Sequence, residues 1–468
     1  MSTLRVFNHY IRLPFVLLGL IEASVLFLGV FLGVLLRLHN GFHDIAGAFG
    51  TYWVEGVIFL SVMTIAMVSS GLYQARLREG SFGFLLRLTA SFLLGIVALS
   101  VIFYLFPDIF LGRGVLIIAI ISSFISITGI RFLINRFDPD IFKKRILVLG
   151  SGKRASTITE LRRRSDQFGF TIFGYVHLRG EQNVVSDDKI INLGVPLADF
   201  IETHDIDEIV LAVDDRRKGI PMHELLDCKM RGVDILDVVT FFERETGKIR
   251  IDQVHPSWFL FSEGFHHGPG RTISKRAFDV LASFFLLVIT WPFMVLAAFG
   301  IFVEGKCNWK TPILFRQVRV GQDGRPFQVL KFRSMIVDAE KSGKAQWATK
   351  NDSRITIIGK FIRKTRIDEL PQILNVFRGD MSFVGPRPER PEFVVMLSEK
   401  IPYYSERHRV RPGITGWAQL LYPYGASEQD ALEKLQYDLY FVKNHSIFLD
   451  ILILLQTAEV VLFGRGAH

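Results

Sequence analysis

The sequence predicts a membrane protein that is α plus α/β. Its parts are a four-helix transmembrane bundle, a Rossmann-like parallel-sheet domain, a re-entrant membrane helix and a mostly helical monotopic C-terminal domain. Three observations carry that prediction. Four apolar stretches open the chain, each long enough to cross a ~30 Å hydrocarbon layer. A strand, a glycine turn and a helix start follow them. A fifth apolar stretch has basic residues at both ends and a proline near its middle. The expected boundaries are 1–140 for the bundle, 141–262 for the Rossmann-like domain and 263–277 for a linker and the start of an interfacial helix. Residues 278–305 form the re-entrant helix and 306–468 the C-terminal domain.

The four opening stretches cover roughly 13–36, 51–73, 84–106 and 109–135, and a mean hydropathy of +0.30 with 49% apolar residues is high for a soluble chain. The first stretch lacks the cleavage site and flanks of a removable signal peptide. Arg5 and Arg12 precede it, Arg76, Arg78 and Arg87 flank the second loop, and Arg131, Arg136, Lys143, Lys144 and Arg145 follow the fourth. The turns around 38–50 and 107–112 hold no Lys or Arg, so both ends of the bundle face the cytoplasm. Glu22, inside the first span, is either a functional charge or a helix-to-helix hydrogen bond.

In the fifth stretch, Phe278–Val303, Arg271, Lys275 and Arg276 lie before the apolar run, and Lys306 and Lys310 after it. A full crossing would put one basic cluster outside. Pro292 removes a backbone hydrogen bond near the middle and kinks the helix. The economical reading is a helix that enters the membrane, bends and returns to the same face; an ordinary kinked span is the alternative.

Between these membrane parts, Arg145–Ala155 reads as a buried strand, a glycine turn and a helix start, with Gly150, Gly152 and Ala155 in a Gly-x-Gly-x-x-Ala pattern. Such a turn can bring backbone N–H groups to a pyrophosphate. Further strand-like runs at Phe170–Val176, Glu208–Val213 and Val233–Val238 alternate with helical segments, which implies a parallel sheet. The acidic residue that would hold a ribose hydroxyl is missing after the second strand, where the chain reads His177-Leu-Arg179. Cofactor binding and a sensing, assembly or vestigial role therefore stand side by side. Gly264–Gly270 is a linker by composition, and its adjacent His266 and His267 make a poor chelate. Cys228 and Cys307 are the only cysteines, which excludes a disulfide framework and a zinc knuckle.

The last third carries the basic surface: Lys306–Arg366 holds 15 Lys/Arg against 4 Asp/Glu, a larger excess than the +9 of the whole chain. Neighbouring apolar helices favour lipid and phosphate as partners, and no nucleic-acid-binding motif is present. Two strand-like runs around Asp323-Gly324 predict a hairpin on which Lys331 and Arg333 share one face. Arg354–Arg366 has one apolar and one cationic side at helical spacing, as for a helix at a lipid interface. Asp368 and Glu369 end that segment. They could be a helix cap, for a helix over 369–377 with Pro371 in its first turn, plus a surface glutamate. The surrounding Arg363, Arg387 and Arg411, the last two on rigid Pro/Gly loops, favour chemistry on phosphate instead. Carboxylates beside so many cations are expected to stay ionised, so that one can attack phosphorus while the other holds a divalent metal. The closing apolar run Ile447–Phe463 is interrupted by Asp450, Gln456 and Glu459 and reads as an interfacial or core helix.

From about Ser274 to Gln456 the chain resembles the bacterial sugar transferases, the polyprenyl-phosphate glycosyl-1-phosphate transferases. The matching motifs are Lys275-Arg276-x-x-Asp279, Lys331-Phe-Arg-Ser-Met335, Asp368-Glu369-Leu-Pro, Gly379–Pro388 and Arg411–Gln419. The whole layout is similar to the long-form members that initiate exopolysaccharide or O-antigen synthesis. That resemblance implies a cytoplasmic active site on the bacterial inner membrane. Asp368 would attack the sugar-bearing phosphorus of a UDP-sugar and expel UMP, and undecaprenyl phosphate would then take the phosphosugar. Glu369 would bind Mg2+, and Lys331, Arg333, Arg363, Arg387 and Arg411 would contact phosphates. A homodimer and contacts with other polysaccharide-assembly proteins fit the same layout. Rival classes are a membrane-bound nucleotide-sugar dehydratase and a non-enzymatic scaffold; the first needs a Tyr-x-x-x-Lys pair, which is absent.

Overall fold

The computed structural model describes residues 3–6, 9–37, 45–73, 81–136, 143–159, 161, 170–178, 180–215, 220–254, 258–259, 262, 264–265, 268–305, 308, 311–336, 354–422, 425 and 427–462. Arg76, Arg78, Arg179, His266, His267, Lys306, Cys307 and Lys310 lie outside the described residues. The chain divides into two compact units, one running to Thr246 and the other from Gly247 onward.

The first unit opens with two short strands, β1 (Thr3–Val6) and β2 (His9–Arg12). Four apolar helices follow: α1 (Leu13–Arg37), α2 (Ile45–Ser69), α3 (Ser81–Leu105) and α4 (Arg113–Arg136). Each is long and apolar enough to cross a bilayer. Second-span residues enter helical structure six positions before the apolar run predicts, with a local break at Tyr52 (φ −112°, ψ 17°). Leu26, Val30, Phe59, Met63, Leu88 and Leu99 form a fully buried seam, while Leu20, Leu28, Val97 and Ile125 point outward. Glu22 is fully buried and is the acceptor of a three-way lock. Tyr73 Oη donates to it at 2.6 Å and Arg131 Nη2 at 2.9 Å, while Arg131 Nη1 donates to the Leu72 carbonyl at 2.9 Å. This is the helix-to-helix reading of Glu22. Stripping one partner from such a buried pair costs about 3–5 kcal/mol.

The α/β part of this unit is a five-stranded sheet. In chain order it contains β3 (Lys144–Leu149), α5 (Lys153–Thr159), β4 (Phe170–Val176), β5 (Ile190–Ile191), α6 (Leu197–Thr203), β6 (Glu208–Leu211), α7 (Met222–Met230), β7 (Asp234–Asp237) and α8 (Val238–Thr246). All pairings are parallel, in the order β5-β4-β3-β6-β7. Leu147, Leu149, Ile209, Leu197, Ile201 and Cys228 pack one core, which explains the near-continuous apolar strands. The order reverses beside β3, so the crevice that binds ligands in doubly wound sheets would lie between the ends of β3 and β6.

The second unit is tied together from Gly247 onward. Ile249 N donates to the Gln436 carbonyl at 3.0 Å, Lys248 pairs with Glu433 at 2.8 Å, and Trp417 Nε1 donates to the Gly247 carbonyl at 2.8 Å. The left-handed Gly247 (φ +64°) turns the chain away from α8 at that point. Next comes α9 (Pro269–Glu304), one helix of 36 residues running through Pro292. It is the fifth helix apolar enough to cross a membrane. No residue between Ser283 and Ala297 is buried.

The hairpin β8 (Leu314–Val320) and β9 (Pro326–Phe332) forms as predicted, with the turn through left-handed Asp323 and Gly324. Thr356 caps α10 (Ile357–Lys364), accepting from Gly359 N at 3.0 Å. A 3-10 turn over Ile367–Glu369 leads to α11 (Gln372–Arg378). Two three-residue strands, β10 (Ser382–Val384) and β11 (Gly413–Thr415), pair in parallel on either side of α12 (Pro391–Lys400) in the chain. The remaining helices are α13 (Trp417–Leu421), α14 (Glu428–Asn444) and α15 (Ile447–Leu462). Leu449 and Ile453 of α15 are fully buried, as a core helix requires.

Candidate active site

Arg366 takes a left-handed backbone (φ +59°) after α10 and reverses the chain, so Asp368 turns inward at once. The expected helix over 369–377 starts three residues later, because Pro371 occupies its N-cap position. No cap hydrogen bond from Asp368 is made, so the capping reading is overturned. Asp368 is buried at 9% exposure, and its Oδ1 has no hydrogen-bond partner. Glu369 is gripped by cations: Lys331 Nζ at 2.8 Å and Arg387 Nη2 at 3.6 Å from Oε1, and Arg366 Nη1 at 4.0 Å from Oε2.

This asymmetry separates the two carboxyls electrostatically. Burial, reinforced by the Glu369 charge, pushes Asp368 up to about 6 against the opposing pull of Lys331, Arg363 and Arg366. Burial acts upward on Glu369 too, but Lys331 and Arg387 outweigh it and hold that group near about 2. Both carboxyls are therefore ionised at neutral pH, Asp368 with the smaller margin. It is still roughly nine-tenths charged at pH 7. A weakly held, unpartnered carboxylate oxygen beside four cations suits nucleophilic attack on a phosphate ester.

Not every predicted contact converges. Lys331 reaches Glu369, but Arg333 turns away and donates to the Pro312 carbonyl at 2.8 Å. The shared face predicted for the two cations is lost because β9 ends at Phe332, one residue before Arg333. Arg363 acts on Asp368 through charge. Arg411 forms no ion pair with either carboxylate among the described residues; its carbonyl instead packs on Gly385, where a Cβ would lie 2.2 Å from the oxygen. That close approach is why the Gly385 and Gly413 loops need glycine. Arg366 was visible in the sequence only as one more charge in an amphipathic run. The residues Lys275, Arg276 and Asp279 staple α9 to this region. Arg276 donates to the carbonyls of Val376 and Phe377 at 2.7 and 2.6 Å. Asp279 Oδ1 accepts from Ser382 Oγ at 3.0 Å, and Lys275 Nζ donates to the Val384 carbonyl at 3.3 Å.

Magnesium binds through one or two carboxylates and completes its shell with water and substrate phosphates. Glu369, with Arg366 Nη1 4.0 Å from its Oε2, is the carboxylate that would hold such an ion, and the unpartnered Asp368 Oδ1 is left free of it. Among the described residues no group of three or more His, Cys, Asp or Glu forms a fully protein-made cage.

The glycine turn of the first unit differs. Gly150 (φ +122°) and Gly152 adopt the expected turn, and Ala155 is buried in α5. However, Asp214 accepts from Lys153 N and Arg154 N, each at 2.9 Å, and Glu181 accepts from Ser151 N and Asp214 N, each at 2.9 Å. Three of the turn's N–H groups, those of Ser151, Lys153 and Arg154, are thus used internally. A Cβ on Gly150 would lie 2.5 Å from the Ala212 carbonyl and one on Gly152 2.2 Å from Asp214 Oδ2, so these glycines serve internal packing.

Comparison with known proteins bears on the second unit above all. Residues 270–464 match the family model described as bacterial sugar transferase. The chain is 39% identical over 255 residues to the UDP-N-acetylgalactosamine-undecaprenyl-phosphate N-acetylgalactosaminephosphotransferase of Aeromonas hydrophila, covering 54% of this chain and 58% of that one. It is 42% identical over 200 residues to the undecaprenyl-phosphate glucose phosphotransferase of Komagataeibacter xylinus, covering 42% and 37%. With the UDP-glucose:undecaprenyl-phosphate glucose-1-phosphate transferase of Xanthomonas campestris pv. campestris it shares 30% identity over 370 residues, 76% of this chain and 75% of that one. This chain belongs to the bacterial sugar transferase family. The chain thus spans 58% and 37% of the first two relatives' lengths and 75% of the third. The sugar transferase match encloses Asp368, Glu369, Lys331, Arg363 and Arg387.

Proposed function

We propose that this sugar transferase moves a sugar-1-phosphate from a UDP-sugar to undecaprenyl phosphate, releasing UMP and leaving an undecaprenyl-diphospho-sugar. The observation that carries this reading is Asp368: buried, unpartnered at Oδ1 and ringed by Lys331, Arg363 and Arg366. Its Oδ1 attacks the sugar-bearing phosphorus. The bond from that phosphorus to the bridging oxygen breaks, and its electron pair leaves with UMP. An oxygen of undecaprenyl phosphate then attacks the acyl phosphate, and the Asp368 carboxylate is regenerated. Lys331, Arg366 and Arg387, now paired with Glu369, are placed to exchange part of that pairing for phosphate oxygens. Mg2+, when bound at Glu369, would supply charge neutralisation of the diphosphate and of the UMP leaving group.

The membrane arrangement belongs to the same proposal. The four N-terminal helices cross the inner membrane with both ends cytoplasmic, as their flanking charge favours. We read α9 as re-entrant. Arg276 and Asp279 before Pro292, and Ala297 and Ile301 after it, pack on the same small domain. A straight helix lying on that domain would also bury its middle, yet no residue from Phe284 to Leu296 is buried and most are exposed and apolar. On α10, Ile357 (88% exposed) and Phe361 (61%) lie on the same face as Lys360 and Lys364, which suits the level of lipid headgroups.

Membranes carrying the protein should release UMP, and not UDP, from a panel of UDP-sugars when undecaprenyl phosphate and Mg2+ are supplied. UDP release would mean ordinary glycosyl transfer and defeat the reading. UDP-sugar alone should leave labelled phosphosugar on the wild-type protein and none on Asp368→Ala.

A further inference from the structure

The Gly385-Pro386-Arg387-Pro388 loop cannot be held as ordinary secondary structure, because two of its four residues lack an N–H. Its carbonyls are held from outside instead. Gly413 N donates to the Pro386 carbonyl at 3.0 Å, and Val320 N to the Glu389 carbonyl at 3.0 Å. The two carbonyls between them are taken by arginine side chains. Arg407 Nη2 donates to the Arg387 carbonyl at 3.1 Å, and Arg319 Nη1 to the Pro388 carbonyl at 3.0 Å.

Both arginines are themselves braced. Arg407 is buried at 5% exposure, donates to Asp438 Oδ2 from Nη2 at 2.7 Å and from Nε at 3.1 Å, and reaches Tyr404 Oη from Nη1 at 2.8 Å. Asp438 is equally buried. Arg319 lies on the hairpin and takes Gln317 Oε1 from Nη2 at 2.6 Å and from Nε at 3.0 Å. Neither arginine pairs with Asp368 or Glu369. Arg407 spends one donor on the carbonyl of Arg387, whose guanidinium lies 3.6 Å from Glu369, and Arg319 spends one on the carbonyl of the next residue, Pro388.

We propose that Arg319 and Arg407 are positioning residues, which fix the Arg387 guanidinium toward the sugar-bearing diphosphate by gripping the backbone on its C-terminal side. The inference rests on the reading of Arg387 as a diphosphate contact. Arg319 is the cleaner probe, since its ionic partner Glu389, 3.6 Å from Nη1, is partly exposed, whereas loss of Arg407 would strand the buried Asp438 charge.

The test is a double-mutant cycle in the full chain. Arg319→Gln should raise KM for the UDP-sugar about tenfold with kcat within about twofold, and Arg319→Lys, which keeps one donor, should recover part of it. In an Arg387→Ala background, Arg319→Gln should have no further effect. Arg407→Lys, checked by thermal melting, should behave as Arg319→Gln does. Equal losses in both backgrounds, an unchanged KM, or a fall in kcat alone overturns the proposal. Binding of a fluorescent UDP-sugar to Asp368→Asn protein carrying the same changes reads the grip without turnover. Absence of UMP release by wild type therefore sinks the catalytic reading alone, and additive weakening in the binding cycle sinks this one.

Discussion

The glycine turn at 150–155 and the turn at 366–369 each bring carboxylates to the start of a short helix, yet one is saturated and the other is not. At the first, Asp214 and Glu181 satisfy three backbone N–H groups of the turn, those of Ser151, Lys153 and Arg154. At the second, Asp368 Oδ1 has no donor, and four cations surround two carboxylates. A recognisable sequence pattern thus specifies a backbone shape. Whether that shape binds anything depends on how its polar groups are matched, because a buried group without a partner is costly and is kept where a ligand completes it.

The sharpest way to break the comparison is to neutralise the open carboxylate. Asp368→Asn should lower UMP release at least about a thousandfold while membrane levels of the protein stay normal. Normal levels with lost activity would also set aside a scaffold role. Lys331→Ala removes the closest cation from Glu369 and should raise KM for the UDP-sugar by roughly ten- to a hundredfold, about 1.4–2.8 kcal/mol. Retention of wild-type KM in that variant would mean that the cations around Glu369 serve the fold alone.

The saturated turn should respond in stability rather than turnover. Gly152→Ala forces a methyl against Asp214 Oδ2 and should destabilise the first unit by about 1–3 kcal/mol, read by thermal melting. KM and kcat for sugar-phosphate transfer should not move. Equilibrium titration of wild-type protein with NAD+ should show no binding, because Ser151, Lys153 and Arg154 offer no free N–H in this turn. Stoichiometric NAD+ binding would show that Asp214 and Glu181 are displaced readily, and the contrast between the two turns would collapse.

Much of this was legible in the sequence because it depends on local pattern. Apolar run length gave the membrane helices, and the glycine turn with its apolar strands gave the parallel sheet. Short motifs placed Asp368, Glu369, Lys331 and Arg387 together. What escaped is what distant loops contribute. Glu181 and Asp214 reach the glycine turn from about 30 and 60 residues away, and the acidic residue sought directly after β4 arrives only at Glu181. The raised Asp368 follows from burial, which charge counting around the motif could not supply. Arg366 gives no sign in the sequence of its left-handed backbone, since that conformation is more typical of Gly or Asn. The roles of Arg319 and Arg407 depend on which carbonyl each side chain meets.

The smallest expected effect separates two cations that the strand pattern grouped together. Lys331 and Arg333 are two residues apart, but only Lys331 points at Glu369. Arg333 spends a donor on the Pro312 carbonyl, where it secures the start of the hairpin. Arg333→Ala should therefore cost about 1 kcal/mol of stability, the worth of one such hydrogen bond, and leave KM within about twofold. A KM shift as large as that of Lys331→Ala would mean that Arg333 swings toward the phosphates when substrate arrives. The open site would then recruit a cation that the ligand-free arrangement holds elsewhere, and its boundary would reach past the residues now paired with Glu369.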